Sequence, residues 1–250
     1  MSNYKTAGIS ASVLCRKLIR ATHLFAIAIL LTASADAAQA KGFAKLDKVS
    51  GKVVVLDSAG SPIAKGSNGR ALRVNEGLRT GADSSADILL FDGSRIRMTP
   101  NSKIKLSAKS KNGKADIQID LISGKLFNLV QATDKRGHYV IKTKSAMAGF
   151  KGRVFSAESN GDQSVFMVKD GKLKLVNPKV SKKDGVLVSN MSKSTVSADA
   201  RPAKPVPLSP EEIALFDALE EIDMNVGFDL SEETQDVIRE NAVSPVDSLP

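Results

Sequence analysis

Turn chemistry recurs along the middle of this chain about every eight to thirteen residues, at Asn68-Gly69, Gly81, Asp92-Gly93, Asn101, Asn112-Gly113, Gly124, Gly137, Gly149, Asn160-Gly161, Asp170-Gly171 and Asp184-Gly185. Asn-Gly and Asp-Gly pairs tolerate the positive φ values that tight hairpin turns demand. Segments this short leave room for strands but not for helices of ordinary length. Between the turns, apolar residues occupy every second position. Ile96 and Met98 alternate with Arg95 and Arg97, Ile104 and Leu106 with Lys103 and Lys105, and Leu173 and Leu175 with Lys172 and Lys174. Each such strand has one dry and one wet face. Ile88-Leu89-Leu90-Phe91 is apolar on both faces and belongs at the centre of a sheet. The spacing predicts an all-β fold, with many short strands in a sandwich or solenoid-like β-roll, followed by a short acidic helical tail. A composition with 4% aromatic residues, no Trp and 18 Gly suits such a fold.

The ends of the chain read differently. Residues 1–40 have the pattern of a signal peptide: Lys5, Arg16, Lys17 and Arg20 precede the apolar run Leu24–Leu31, and the small residues end at Ala38-Gln39-Ala40. Cleavage after Ala40 would place the mature protein in the periplasm. Counted from Ala21 to Ala35, the apolar run is shorter than the roughly 20 residues a spanning helix needs, so retention as an anchor is the second reading. The single cysteine, Cys15, leaves with the signal, and with it thiolate and disulfide chemistry. The β domain then covers 41–197 and a Pro-rich linker 198–208, with Pro202, Pro205 and Pro207 holding it extended. An acidic amphipathic helical tail spans 209–241, and 242–250 is a disordered end. Ser209-Pro210-Glu211-Glu212 is a helix start with the elements of a capping box, and Ile213, Phe216, Leu219 and Ile222 form one stripe. A second start follows at Ser231. Helices this short are not stable alone in water, so the stripe must be buried, either on the chain's own β domain or on a partner.

Charge divides the same way. Residues 41–200 hold 29 Lys plus Arg against 14 Asp plus Glu, whereas 201–250 hold 3 against 12. Arg95, Arg97, Lys103 and Lys105 project from wet faces, and a short turn between their strands is expected to bring them side by side. They form the candidate anion-binding face, fit for an envelope protein, an anionic envelope polymer or the acidic tail itself. The plainer role for such cations is to guard sheet faces and edges. Nucleic acid is not the expected partner, since export and the presence of only Tyr4 and Tyr139 leave no stacking platform.

Catalytic machinery is scarce. After residue 40 the chain has one histidine, His138, within the polar turn Lys135–His138, and no cysteine. That leaves no nucleophile–histidine constellation and no histidine pair for zinc. Neither metal nor cofactor is expected. Asp87, Asp92, Asp116 and Asp120 are the carboxylates that an envelope hydrolase would have to use.

From about residue 50 to 177 the chain resembles the FecR domain family, named after a periplasmic regulator. Asn75-Glu76-Gly77-Leu78-Arg79-Thr80-Gly81 matches the family pattern without a gap, with Asn75 where a glycine is usual and Glu76 keeping the carboxylate. Asp92-Gly93-Ser94 and Pro100-Asn101-Ser102 follow in order, then Thr143, Gly149, Gly152 and Phe155. Arg153 stands where members usually carry Thr. The resemblance implies a non-catalytic periplasmic β-module, a binding or scaffold unit engaging an envelope component. The membrane-anchored signalling regulator of the same family is the alternative, and a carboxylate hydrolase the third.

Overall fold

A computed structural model describes residues 43–111, 114–131 and 139–224. The N-terminal 40 residues, the Asn112-Gly113 turn, the Lys135–His138 segment, the second helix start at Ser231 and the end at 242–250 lie outside the described residues. The strands are β1 (Ala44–Ser50), β2 (Val53–Leu56), β3 (Pro62–Lys65), β4 (Ala71–Leu72), β5 (Gly77–Thr80), β6 (Ser85–Leu90), β7 (Arg95–Met98) and β8 (Lys103–Lys111). They continue as β9 (Lys114–Leu129), β10 (Tyr139–Lys142), β11 (Met147–Asn160), β12 (Gln163–Asn177), β13 (Ser181–Ser189), β14 (Ser192–Ser197) and β15 (Val206–Pro207), before helix α1 (Pro210–Met224).

All these strands belong to one hydrogen-bonded sheet, antiparallel except where β10 runs parallel to β9. Three of them are long: β9, β11 and β12 run 16, 14 and 15 residues, and each serves two sets of neighbours. The first half of β9 lies between β8 and β10, its second half between β7 and β11. Likewise β12 pairs with β14 through Gln163–Val168 and with β13 through Lys172–Asn177. Two wings result. The first comprises β4, β1, β6 and β7, the second half of β9 with the adjoining halves of β11 and β12, then β14 and β15. The second comprises β3, β2, β5 and β8, the first half of β9, β10, the remaining halves of β11 and β12, then β13.

Glycines sit where the long strands turn from one wing into the other. Gly152 lies opposite Gly171 in the β11–β12 ladder, and the register shifts directly after it. Their φ values are 153° and 128°, and a Cβ on Gly171 would stand 2.6 Å from Gly152 Cα. Two side-chain-free residues let both strands bend at one place. The bend brings the rings of Phe150 and Phe155 to 3.7 Å between centroids, although a straight strand would hold residues five apart roughly 17 Å from each other. Gly124 bends β9 in the same way, packed so tightly that a Cβ there would meet Ser102 Cα at 2.5 Å. Gly124, Gly149, Gly171 and Gly185 therefore lie within strands, where sequence spacing places turns. Glycine permits a bulge as readily as a reversal, and its neighbours do not distinguish the two.

Between the wings lies one apolar core. Leu46, Ile88, Ile96, Leu126 and Phe166 from the first wing, and Val53, Leu78, Ile104, Ile119 and Leu175 from the second, are fully buried in a single cluster. The run Ile88–Leu90 is buried on both faces, as its unbroken apolar character requires, and the carboxylate of Asp87 just before it is buried as well.

A second, smaller cluster lies on the outer face of the first wing, where Phe127, Val154 and Met167 meet Leu208 and Phe216, with Leu129, Val165, Ile213 and Leu219 around them. Helix α1 thus docks on the chain's own β domain. Ser209 caps it reciprocally: Ser209 N–H donates to Glu212 Oε2 (2.9 Å), and Glu212 N–H to Ser209 Oγ (3.3 Å). Ile222, the last member of the stripe, lies outside the described side chains. The Pro-rich segment is extended and laced to β14, with Ala203 N–H on Thr195 O and Leu208 N–H on Met191 O, both at 2.9 Å.

Candidate functional site

The residues of the 75–81 motif clip the wings together. Asn75 has φ 70°, the left-handed conformation a glycine would take, and its N–H donates to Leu106 O at 2.8 Å, while Leu106 N–H donates to Glu76 O at 3.0 Å. The Glu76 carboxylate turns back to accept Arg73 N–H (3.0 Å). Thr80 is buried; its hydroxyl donates to Thr99 O (2.7 Å) and accepts Ser102 N–H (2.9 Å). Asn101 N–H reaches Gly81 O, and Ser102 Oγ accepts Lys125 N–H at 3.1 Å beside the β9 bend. The Thr80-Gly81 and Pro100-Asn101-Ser102 motifs are thus each other's partners. The Asp92-Gly93-Ser94 turn is closed by Asp92 Oδ1 and Oδ2 on Ser94 N and Oγ (both 2.9 Å), with Ser94 Oγ accepting Gln131 N–H. Thr143 Oγ1 accepts Ala146 N–H (3.0 Å) and the Ser164 hydroxyl (2.8 Å), fixing the β10–β11 turn to β12. Phe155 is fully buried against Phe150 and Tyr139, Gly149 faces open space, and the exposed Arg153 offers its carbonyl to Val130 N–H at 2.7 Å.

The four cations of the candidate anion-binding face are not side by side. β7 and β8 follow one another along the same edge of β9, Arg97 opposite Phe127 and Lys103 opposite Ser123, because the Pro100–Ser102 segment makes a jog and not a hairpin. Arg95 and Arg97 therefore lie in the first wing, where each meets a carboxylate: Arg95 with Asp47 at 2.5 Å, Arg97 with Asp87 in a two-pronged pair at 2.7 and 2.5 Å. Lys103 and Lys105 lie in the second wing, and Lys105 Nζ donates to Ser58 O (2.9 Å). Their cross-strand neighbours are residues that a local reading missed. Arg79 is opposite Lys103, Asp120 opposite Lys105 and Lys142 opposite Asp120, while Lys174 sits opposite Gly149 one row further. Opposed residues share a face, so Arg79, Lys103, Lys105, Lys142 and Lys174 form the basic outer surface of the second wing. Period-two alternation marks each of them as wet; only the pairing order places them together.

The outer face of the first wing is built the other way. Phe127, Leu129, Val154, Val165 and Met167 make an apolar strip across three strands, and α1 covers it, Phe216 meeting Phe127 edge-on at 5.7 Å. Lys169 takes both Asp217 (2.6 Å) and Glu220, and Lys193 takes Glu212 (2.6 Å). Partial burial disfavours the charge on Lys169, but the hydrogen bonds it donates to Asp217 and Glu220, with their negative charge, outweigh it and hold its pKa above the ordinary lysine value. Burial likewise works against ionised Glu212, yet Lys193, Ser209 N–H and the charge of Lys125 keep its pKa below the usual carboxylate value. At the seam, Arg95, Arg97, Phe127 and Glu220 line a hollow of about 40 Å³, space for water and not for a metabolite.

The carboxylates required by a hydrolase are dispersed. Asp87 and Asp92 belong to the first wing and are engaged as above, whereas Asp116 and Asp120 lie on the first half of β9, Asp120 accepting from Gln118 Nε2 at 2.9 Å. Among the described residues, no group of three His, Cys, Asp or Glu could hold a metal ion, and no helix is long and apolar enough to cross a membrane.

Fold and surface together define an all-β protein with one open charged face and one face under a helix. Residues 76–174, a stretch that runs from β5 into β12, match the family model for FecR protein. Comparison with curated proteins returned no match. Among solved structures, two crystal structures of a "putative anti-sigma factor" from Parabacteroides distasonis are similar, each with 10% identity over 55% of this chain, at TM-scores of 0.45 and 0.46. The chain spans 62% of the length of those chains.

Proposed function

We propose that the chain is a non-catalytic FecR-type binding module of the periplasm, exported by residues 1–40 with cleavage after Ala40, that engages an anionic envelope component through the outer face of the second wing. The observation that carries this reading is the FecR match over 76–174, which falls on the strands bearing Arg79, Lys103, Lys105, Lys142 and Lys174. The test is capture from solubilised cell envelope at low and moderate salt, beside a chain with Lys103, Lys105, Lys142 and Lys174 changed to Gln. Capture is expected at low salt and lost both at moderate salt and in the variant. Capture that survives both would remove the basic face from the mechanism.

The same family match also favours a second reading, a membrane-anchored regulator of the FecR type that keeps its N-terminal apolar segment. The mass of the protein recovered from cells separates the two: a chain beginning at Lys41 supports the exported module, and an intact N-terminus in the membrane fraction supports the regulator.

A further inference from the structure

We propose that the apolar strip beneath α1 is a second binding site, that α1 is its displaceable resident, and that the incoming ligand is an acidic amphipathic helix of another protein with an aromatic anchor. The strip consists of Phe127, Leu129, Val154, Val165 and Met167, a contiguous apolar surface of a kind that soluble proteins seldom leave bare. Its occupant is held lightly. Of the described α1 side chains only Phe216 is fully buried, Ile213 and Leu219 are half-buried, and Leu215 is exposed. Among the described residues, Lys169 and Lys193 add ion pairs with Asp217, Glu220 and Glu212, whose carboxylate side chains are between 24% and 60% exposed. Pairs of that exposure are screened by salt and contribute little to stability.

The resident helix also spells out what the face recognises. A carboxylate four residues before the aromatic anchor meets Lys193, and carboxylates one and four residues after it meet Lys169. Lys125 adds a third cation, its Nζ 5.1 Å from the centre of the Phe127 ring. From Pro210 to Met224 the helix carries Glu211, Glu212, Asp217, Glu220, Glu221 and Asp223 and no basic residue, against cations on the strands beneath. A three-residue code of that kind on a sheet face suits any helix with the same spacing. The Pro-rich segment before α1 keeps the resident close, so a competitor must outbind a tethered copy, and release of α1 raises the affinity of the site.

The test is fluorescence anisotropy with a labelled peptide of residues 209–224 and the full chain. In the double variant Asp217→Lys/Glu220→Lys, α1 is repelled by Lys169 while the sheet is untouched; in Phe216→Ala the anchor is lost. Both are expected to bind the wild-type peptide at least about tenfold more tightly than the unaltered chain does. Adding Met167→Asp to either should abolish that binding, and a peptide with Glu212, Asp217 and Glu220 changed to Lys should not bind. Equal binding by the unaltered and released chains, or binding of the charge-reversed peptide, would overturn the assignment. So would a concentration-dependent dimer of the unaltered chain that Met167→Asp abolishes, since a second copy would then be the occupant. Exchange at this face presupposes a binding module. Envelope capture lost while peptide exchange persists would count against the module alone, and capture without exchange against this site alone.

Discussion

The two outer faces of this sheet come from the same three long strands, yet one is dressed and the other bare. On the first wing, β9, β11 and β12 present Phe127, Leu129, Val154 and Met167 outward and a helix covers them; on the second they present Asp120, Gly149, Lys172 and Lys174 to solvent. A strand that bends at a glycine bulge can exchange which side chains face the core. The bend at Gly152 and Gly171 therefore lets one chain make both a covered and an open surface. The difference between the faces is fixed at the bend as much as by the side chains themselves.

The largest effect should come from attacking the bend. In Gly171→Val, Cβ would fall 2.6 Å from Gly152 Cα and 2.8 Å from Lys151 O at a φ of 128°, a backbone clash that no rotamer relieves. Loss of about 3 kcal/mol or more is expected, seen as failure to recover folded protein or a much lower denaturation midpoint. A stable, soluble Gly171→Val chain would show that the wings are not formed by this bend. A smaller effect is expected at the clip. Thr80→Val keeps shape but removes the hydroxyl shared by Thr99 O and Ser102 N, leaving a buried N–H without that acceptor, for about 1–3 kcal/mol in chemical denaturation. A change near zero would show that the backbone ladder alone joins the wings.

Phe216→Ala should separate the faces instead of harming both. A phenylalanine removed from a closed core costs about 3–5 kcal/mol. Here the helix can leave, so the loss cannot exceed the free energy of docking. Hydrogen exchange is expected to quicken across 212–224 while the amides of β9, β11 and β12 keep their protection. Global unfolding at a much lower midpoint would make α1 part of the core and not a cover.

How much of this could be read from residues depends on whether the signal was local. The left-handed Asn75, the Ser209–Glu212 capping box, the Phe216 stripe and the alternation of buried Ile104 and Leu106 with Lys103 and Lys105 are local, and each was legible, whereas Arg95, read as wet, is buried. The positions of the bends were not, because Gly124 and Gly171 carry the same local signature as turn glycines. Nor was the assembly of the basic face. Arg97 and Lys103 are six residues apart yet fall on different wings, while Lys105 and Lys142 are brought together by Asp120 between them. Alternation gives the face of a strand but not its neighbour, and the neighbour here depends on a jog at Pro100–Ser102 and a parallel pairing of β10. The partners of Arg95 and Arg97, Asp47 and Asp87, are hidden for the same reason.

The smallest effect, and the sharpest on the comparison, is that of pH on the covered face. Glu212 has a folded pKa below its ordinary 4.5, so it stabilises the docked helix fully above that value and ceases to as pH falls through the folded pKa. Lys169 has a folded pKa above its ordinary 10.5, so its contribution is complete below that value and is lost only as pH rises through the folded pKa. Between those limits neither group changes charge, and docking should be flat across the neutral range. The chain has no Trp, so a Phe216→Trp variant reports on this site alone. Its emission is expected to stay constant through neutral pH and shift to the red in acid, as Glu212 loses the charge it holds against Lys193. The lysines of the second wing have no helix to release, so no such shift is expected there. A red shift near neutral pH would mean that some group other than Glu212 and Lys169 holds the helix, and the electrostatic contrast between the faces would have to be redrawn around it.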